Sequence, residues 1–458
     1  MLATATRPAP PPRAGRAAPS LATLPGSSRP DELIHLLRDP TGFLHARFER
    51  HGRLWKTRFV MPAVFAIGDE ANRAMLVTRR DEFPQGQGYA RTPVRWVFKG
   101  SIMLQDGDDH ARTRATLTPA VGRLAIHESA ARVQAIWAHH VAALGAEREG
   151  DVYQIAERAT FEVAATVLAG LPVGGEVDTF RRLFEDVIGG MMVPIPVRVP
   201  FGRLDRSLRA RAALVRLLGP HVLAARGRPP VGLVGHLAHH RDEAGQPLAV
   251  EEIVVHVVML AWAGYDTTAS QASWILHTLA QRPDWQARLR DELAAVDDPT
   301  ALDTGARAPQ LECFLYEIER MYPSALFFPR VASDELELLG HRLPRGTLIF
   351  YSPYLTHRDP ATFEHPNAFD PERWSAARGD RRVSPARLFG FGAGPRVCLG
   401  KAFAKLQLRV MVQALLRRHH VEPDPRARPR IQGLPVHHPL GARIRVRPIA
   451  MNPEEHPS

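Results

Sequence analysis

The sequence predicts a mainly α-helical protein with a small β portion. Between Glu70 and His420, most segments carry Leu, Val and Ala at helical spacing, and loops rich in Pro and Gly separate them. Two runs near the start, residues 54–60 and 63–67, read as short strands, and the chain after Val421 alternates in a similar way. No internal repeat and no linker interrupts this pattern. We therefore expect one large helical domain with its strands at the margins.

The predicted domain covers residues 21–450. Residues 1–20 are mostly Ala, Pro, Arg, Thr, Gly and Ser, a composition with too few apolar side chains to offset the entropy lost on ordering. An acid-free basic start also suits a transit peptide, but the clustered prolines oppose the amphipathic helix of such peptides. We expect a disordered N-terminal tail and, at residues 451–458, a short C-terminal tail.

Composition excludes several classes of protein. Hydrophobic residues make up 45% and charged residues 23% of the 458 positions, which is ordinary for a globular chain and excludes disorder as a whole-chain property. Cys313 and Cys398 are the 2 cysteines, too few for a disulfide framework or a four-cysteine zinc site. The longest apolar stretch is interrupted by His256 and is shorter than the ~18–20 residues of a spanning helix. We expect a cytoplasmic protein without a transmembrane segment.

The net charge of +11 (59 Lys and Arg against 48 Asp and Glu) requires an explanation. Part of the excess is a cluster in the last quarter of the chain, interrupted only by Asp380: Arg378, Arg381, Arg382, Arg387, Arg396, Lys401, Lys405 and Arg409. Such a cluster could serve nucleic acid, an anionic membrane or an acidic protein. The sequence has no nucleic-acid recognition motif and no interleaved aromatic platform, so an acidic protein partner is favoured.

The strongest local signal is a glycine-rich loop that ends in a cysteine. Residues 389–400 read FGFGAGPRVCLG, and a helical pattern starts directly afterwards at Lys401. The glycines and the proline predict a tight preset turn, which places Cys398 at a helix N-terminus with Arg396 two residues earlier. Free N–H groups and positive charge there would stabilise a thiolate. An isolated cysteine is more often inert packing, but this loop chemistry also suits ligation of a haem iron.

The loop resembles the haem-binding loop of the cytochrome P450 superfamily, whose pattern is Phe-x-x-Gly-x-Arg-x-Cys-x-Gly. The matching residues are Phe391, Gly394, Arg396, Cys398 and Gly400. Further landmarks follow in the family order, so the resemblance extends over residues 31–447. It implies the cytochrome P450 fold, with haem b buried between the oxygen-binding helix and the cysteine loop. It also implies that Cys398 supplies the axial thiolate.

A second landmark, residues 263–268 with the sequence AGYDTT, lies inside an apolar helical run. Adjacent threonines and an aspartate are costly in a plain core helix, although a capped or kinked surface helix would tolerate them. The Thr267 hydroxyl can reach the carbonyl of Ala263 one turn earlier and loosen the helix, while Gly264 permits a close ligand. The resemblance implies that this slot admits dioxygen, that Thr267 positions a water for proton delivery and that Asp266 relays protons from solvent.

Two further sets of residues are identified only through the resemblance. Glu317 and Arg320 match the family's Glu-x-x-Arg pair, which joins a later arginine, here Arg373, and braces the haem loop. Taken alone, that i, i+3 pair would be a solvated ion pair. The contacts to the two haem propionates are expected from His110, Arg114, Arg330 and Arg396.

The resemblance implies a monooxygenase that activates dioxygen and hydroxylates its substrate. No Gly-x-Gly-x-x-Gly motif follows a strand, so electrons from NAD(P)H must arrive through a separate ferredoxin or flavodoxin. We expect this partner to dock on a basic face formed by Arg112, Arg378, Arg381, Arg382, Lys401 and Lys405. Two alternatives stay open: a peroxide-driven haem-thiolate oxidase, which would lack the Asp266-Thr267 pair, and a non-catalytic haem carrier or sensor.

The resemblance also places substrate contacts in three apolar segments, although each residue could equally be plain core. They are Val94, Trp96, Val97, Phe98, Met259, Leu260, Ala263, Ala325, Leu326 and Phe327. Apolar walls favour a lipophilic ligand. Residues 43–59 and 194–203 are loosely similar to retinoid and sterol oxidases, so we expect a terpenoid, steroid or fatty-acid-like substrate.

Overall fold

A computed structural model describes residues 20–193, 198–298, 300, 304–378 and 387–449. The two predicted tails lie outside these residues, except for Ser20, and so do Arg381, Arg382 and part of the 194–203 segment. The boundaries 21–450 for a single domain stay a prediction.

Helices dominate the described chain, as predicted. They are α1 (Glu32–Arg38), α2 (Pro40–His51), α3 (Asp69–Arg73), α4 (Gln85–Tyr89), α5 (Val94–Val97), α6 (Gly107–Val121), α7 (Arg123–Glu147), α8 (Val152–Val163), α9 (Gly175–Gly189), α10 (Arg203–Ala225), α11 (Gly232–His239), α12 (Val250–Gln281), α13 (Pro283–Ala294), α14 (Thr304–Arg307), α15 (Pro309–Met321), α16 (Pro353–Thr356) and α17 (Lys401–Leu416). Short 3-10 and π turns connect several of them.

The strands form small sheets at the margins, and the predicted mainly α class is confirmed. They are β1 (Leu54–Arg58), β2 (Pro62–Ala66), β3 (Glu149–Asp151), β4 (Phe328–Val331), β5 (Leu336–Leu338), β6 (His341–Leu343), β7 (Leu348–Tyr351), β8 (His419–Pro423), β9 (Arg430–Gln432), β10 (His438–Leu440) and β11 (Arg443–Pro448). One four-stranded sheet has the order β1-β2-β7-β4, with β2 and β7 parallel. A second sheet has the order β3-β11-β8, and β5-β6 and β9-β10 are two-stranded.

The chain between Glu32 and His51 forms two separate helices, α1 and α2. Asp39 separates them, and its side chain caps α2 by accepting a hydrogen bond of 2.9 Å from the Gly42 N–H. Pro40 then occupies the first turn of α2, where its missing N–H costs nothing but where it cannot continue α1. Helical periodicity alone did not reveal this local capping.

Among the helices that the structure describes, α12 is the longest, with 32 residues, and it is buried along much of its length. Ile253, Val257 and Ile275 are at most 1% exposed and belong to the largest hydrophobic core. The helix packs against α8, α10 and α17, so its apolar character comes from tertiary contacts on several sides. Within the described part of the chain, no helix combines the length and hydropathy that crossing a membrane requires.

Candidate functional site

The cysteine loop is a tight turn closed by its own backbone. Gly392 N–H donates to the Phe389 carbonyl at 2.7 Å, and Cys398 N–H donates to the Phe391 carbonyl at 2.8 Å. Gly394 has a φ of +60°, and an added Cβ would lie 2.3 Å from the Leu76 carbonyl oxygen. A side chain at that position would therefore clash as well as strain the backbone. The loop delivers Cys398 three residues before α17 begins.

The Cys398 thiol faces an internal cavity of about 340 Å³. It is exposed toward this space but otherwise enclosed, and burial raises its pKa above the ordinary thiol value. The Gly400 N–H and the charges of Arg114 and Lys401 act in the opposite direction. Burial therefore outweighs the lowering of the Cys398 pKa that the helix N-terminus was expected to cause. Burial in a mainly apolar interior disfavours the thiolate more than these donors favour it.

Helix α12 forms the opposite wall of the same cavity. Ala263, Gly264 and Thr267 line it, and the Thr267 hydroxyl donates to the Ala263 carbonyl at 2.6 Å, as the spacing predicts. The helix nevertheless continues without a break through this turn, so the bond does not interrupt it. Asp266 is 9% exposed and is absent from the wall, because it faces α8 and accepts a hydrogen bond from the Tyr153 hydroxyl.

One end of the cavity is cationic. His110 and Arg114, one turn apart on α6, both line it together with Arg396. Burial, assisted by the charge of Arg396, lowers the pKa of His110 to about 4, so this imidazole is neutral at pH 7. Arg396 is paired with Asp106 at 2.6 Å, and burial lowers its pKa only to about 10. Of the four residues expected to contact the propionates, His110 is therefore a neutral donor rather than a cation.

Arg330 lies behind the cavity wall rather than in it. It is 2% exposed, donates to the Gln85 side-chain oxygen at 2.5 Å and stacks over the Tyr351 ring at 5.3 Å. Its Nε is buried and has no hydrogen-bond partner among the described residues. The wall at this point is formed by Gln85, Tyr89 and Tyr351, which sequence reasoning missed. The contact of Gln85 with the motif residue Arg330 is the signal that would identify this part of the wall. That contact joins residues far apart in sequence, so no local pattern reveals it.

Glu317, Arg320 and Arg373 meet in a buried ion-pair network, and each is at most 3% exposed. The Arg320 guanidinium donates a hydrogen bond of 2.8 Å to each carboxylate oxygen of Glu317, and Arg373 Nε lies 3.2 Å from one of these oxygens. The Trp374 indole N–H also donates to Glu317, at 2.9 Å. Arg320 donates in addition to the His357, Pro366 and Ala368 carbonyls. A bidentate ion pair whose remaining N–H groups are hydrogen-bonded is the favourable geometry for a buried charge.

His357 connects this network to the cysteine loop. Its ring accepts the Phe389 N–H at Nε2, 3.3 Å away, and lies 3.2 Å from the Arg320 carbonyl at Nδ1. Burial lowers its pKa to about 3, so the ring is neutral and can accept at one nitrogen and donate at the other. Glu319, on the same helix as Arg320, is also buried and accepts backbone N–H groups from Gly390 and Phe391. Neither His357 nor Glu319 was identified from the sequence.

The structure brings only part of the predicted substrate set to the cavity. Met259, Leu260, Ala263 and Ala325 line it, whereas the other six residues do not. Val97 and Phe98 are 2% exposed and pack in the main core, with Phe98 tilted against Trp262 at 5.1 Å. The other exceptions are Val94, which is buried, Trp96, which is 38% exposed, and Leu326 and Phe327, which pack on the four-stranded sheet.

Several apolar side chains of the wall were not predicted. They are Met103, Val121, Ile126, Val167, Leu168, Leu233, Trp262 and Phe328. Most come from segments that carry no motif, so only the packing of the helices places them here. The cavity surface is therefore mainly apolar away from its cationic end.

The structure describes four of the six residues of the predicted basic face, since Arg381 and Arg382 lie outside the described residues. Lys405 is 12% exposed and pairs with Glu312 at 2.9 Å, so it is part of the interior of the protein rather than a docking surface. Arg378 pairs with Asp370 at 2.5 Å, and Arg112 pairs with Asp109 while remaining 58% exposed. Lys401 lies over the Phe391 ring at 5.5 Å.

A thiol on a glycine-rich loop, facing a threonine-bearing helix across an apolar cavity with one cationic end, defines the class of haem-thiolate proteins. A family model described as Cytochrome P450 matches residues 226–443. The chain is 28% identical to cytochrome P450 26C1 of Homo sapiens, over 91% of this chain and 86% of that protein. It is 27% identical to cytochrome P450 26B1 of Mus musculus, over 89% and 83%.

The fold comparison agrees. The solved structure described as retinoic acid bound cyanobacterial CYP120A1 matches with a TM-score of 0.84 and 26% identity, over 94% of this chain and 100% of that one. The chain belongs to the cytochrome P450 superfamily. It is a haem-thiolate monooxygenase, an oxidoreductase that takes haem with a cysteine thiolate ligand, a small-molecule substrate and a redox partner.

Proposed function

We propose that Cys398 is the haem ligand and that the cavity between its loop and α12 holds the haem and the substrate together. The observation that carries the proposal is that the Cys398 thiol and the Thr267 turn line one cavity from opposite sides. The residues fit a haem. The guanidinium of Arg114 has no carboxylate partner among the described residues. Together with His110 and Arg396, it can offer positive charge and N–H donors to the two haem propionates.

The bound haem would supply the oxidising chemistry, with the thiolate favouring O–O cleavage. The residues of the chain would bind the haem, orient the substrate and deliver protons. Gly264 leaves room beside α12, and Thr267 presents a hydroxyl to the cavity while it is held by Ala263. Asp266, one residue earlier and on the other side of the helix, is the proposed proton relay. Hydroxylation is the proposed reaction, since it is the outcome that the resemblance to the family implies.

The proposed substrate is a lipophilic terpenoid, and a retinoid-like acid is the first candidate. Away from the cationic end, the wall is built from apolar side chains such as Met259, Leu260 and Trp262. The structural neighbour at a TM-score of 0.84 is described as retinoic acid bound, which supports this choice over a steroid or a fatty acid.

Spectral titration tests the substrate proposal. Retinoic acid, a neutral sterol and a saturated fatty acid would each be added to the haem-loaded protein, and the shift of the Soret band would be followed. We expect the retinoid to bind most tightly. Leu260→Ala should weaken its Kd roughly tenfold, because the truncation removes about 1.5 kcal/mol or more of apolar burial. Leu223→Ala, on the exposed surface of α10, is the control. A tighter shift with the fatty acid, or equal effects of both variants, would contradict the proposal.

We also propose that an acidic ferredoxin or flavodoxin, reduced by NAD(P)H, docks beside the cysteine loop on the face that includes Arg112 and Lys401. Arg112 is exposed on α6, the helix whose Arg114 lines the cavity. Charge reversal in Arg112→Glu should slow reduction by the partner about fivefold at low ionic strength, because steering by complementary charge raises association rates. The two rates should converge at high salt, where exposed charges are screened.

Stopped-flow reduction at several salt concentrations measures this effect. The control is Arg447→Glu on β11, where Arg447 is 69% exposed and pairs with Glu422 instead. A wild-type reduction rate that is independent of ionic strength would contradict an electrostatic docking face.

A further inference from the structure

Helices α8 and α12 exchange a reciprocal pair of tyrosine–carboxylate hydrogen bonds. Tyr153 and Glu157 lie one turn apart on α8, and Tyr265 and Asp266 are adjacent on α12. The Tyr153 hydroxyl donates to Asp266 Oδ1, while the Tyr265 hydroxyl donates to Glu157 Oε1 at 2.7 Å. Each helix therefore contributes one donor and one carboxyl group.

Asp266 is buried and has no ion pair among the described residues. Burial raises its pKa, the hydrogen bond from Tyr153 opposes this rise, and the nearby charge of Glu157 adds to it. The Tyr153 ring is itself fixed, since it stacks on His438 of β10 at 3.8 Å. The titratable groups that face the carboxyl group are thus Tyr153 and Glu157 from α8, Tyr265 from its own helix, and His438 on the far side of Tyr153.

The two hydroxyl groups keep their protons. Burial is the main cause that raises the pKa of Tyr153 and of Tyr265 far above the ordinary phenol value, and the adjacent carboxylates raise both further. A phenol that stays protonated acts as a donor and not as an acid. Tyr153 can therefore hold the carboxylate form of Asp266 without taking part in proton transfer itself.

We propose that Tyr153 is a positioning residue for Asp266: its hydroxyl keeps the carboxyl group turned toward α8 and stabilises the ionised form. The inference rests on the proposed function, in which Asp266 accepts a proton from solvent and passes it toward Thr267. Burial of a carboxyl group without a cation favours the protonated form, and the Tyr153 donor offsets part of this effect, which makes it easier for Asp266 to release the proton that it relays. Like the cation of a salt bridge, the tyrosine favours the ionised form, but it adds no charge and burial still outweighs it.

The test compares Tyr153→Phe with Tyr265→Phe. Both variants delete one partly buried hydroxyl group from the same helix pair, but only the first removes the donor to Asp266. The infrared carbonyl stretch of the protonated carboxyl group, identified by its loss in Asp266→Asn, would be titrated in each protein. Tyr153→Phe should raise the apparent pKa of Asp266 by about one unit or more, since a lost hydrogen bond to the charged form acts in that direction. Tyr265→Phe should change it by less than half as much.

An unchanged pKa in Tyr153→Phe, or equal shifts in the two variants, would overturn the inference. If Tyr153→Phe does not fold, a ring-fluorinated tyrosine at position 153 keeps both the ring and the hydroxyl and makes the latter a stronger donor. The pKa of Asp266 should then fall, and a rise or no change would again overturn the proposal.

A second measurement separates this inference from the proposed function. Asp266→Asn should increase the fraction of NAD(P)H-derived electrons that is released as peroxide. If it does not, but the infrared shift in Tyr153→Phe is present, the positioning role stands and the relay role of Asp266 fails. If Asp266→Asn releases peroxide while the infrared shift is absent, the relay stands and the positioning role fails.

Discussion

Arg320→Ala should strongly destabilise the folded, haem-binding protein rather than only reduce its activity. The substitution removes the bidentate partner of Glu317 and leaves a carboxylate that is 0% exposed. Arg373, Trp374 and the Asp370 backbone N–H remain as partners, but the bidentate pair of hydrogen bonds from Arg320 is lost. Breaking one member of a buried pair costs about 3–5 kcal/mol, which is a large share of the ~5–15 kcal/mol stability of an ordinary protein.

The damage should extend to the cysteine loop. Arg320 donates to the His357 carbonyl, and the His357 ring in turn accepts the N–H of Phe389 at the start of the loop. Loss of the arginine therefore loosens the element that presents Cys398. Arg320→Lys should rescue only part of the stability, because an ammonium group cannot reproduce the planar two-pronged geometry.

Urea unfolding monitored by circular dichroism measures the loss, and haem content reports on the loop. The matched control is Arg447→Ala, which breaks an exposed pair with Glu422 and should cost at most about 1 kcal/mol. A loss from Arg320→Ala no larger than that of the control would show that the buried network is not needed for stability.

Thr267→Ala should reduce product formation about 100-fold while the protein keeps its haem and its fold. Thr267 is one of the polar residues of α12 that line the cavity shared with Cys398, and positioned proton delivery contributes about 100- to 10,000-fold in other enzymes. The backbone should tolerate the change, since α12 is continuous there and alanine favours a helix.

Product and peroxide would be measured together, with the substrate that the spectral titration identifies. We expect the peroxide fraction to rise as product falls, because electrons still arrive while protons are delivered poorly. Thr267→Ser keeps a hydroxyl group and should recover most of the activity. Full coupling in Thr267→Ala would contradict the role of this residue, and loss of haem would point to a structural role instead.

Local chemistry explains which parts of the site were predictable. The cysteine loop is a short turn whose glycines and proline determine its backbone conformation independently of the rest of the fold. The geometry of residues 389–400 is therefore predictable from their sequence. The bond from Thr267 to Ala263 depends only on the spacing of one helical turn. The mainly α class follows from periodicity over long segments, where burial and spacing act together.

The rest of the site depends on contacts between distant residues. Asp266 and Tyr153 are 113 positions apart, and Lys405 and Glu312 are 93 apart, so no local pattern announced either pairing. Leu326 and Phe327 are apolar like the residues of the cavity wall, but their side chains pack against the four-stranded sheet instead. Which apolar surface faces a cavity and which faces the core is decided when the helices pack, and both choices bury similar area.

The central claim is that Cys398 is the thiolate ligand of a haem, and the absorption spectrum of the reduced protein with carbon monoxide tests it most directly. Wild type, Cys398→Ser and Cys313→Ser would be compared, since the chain has 2 cysteines and one of them serves as the control. We expect a strongly red-shifted Soret band in wild type and Cys313→Ser that is lost in Cys398→Ser. A spectrum like that of a histidine-ligated haem in wild type, or a red-shifted band that survives in Cys398→Ser, would contradict the account.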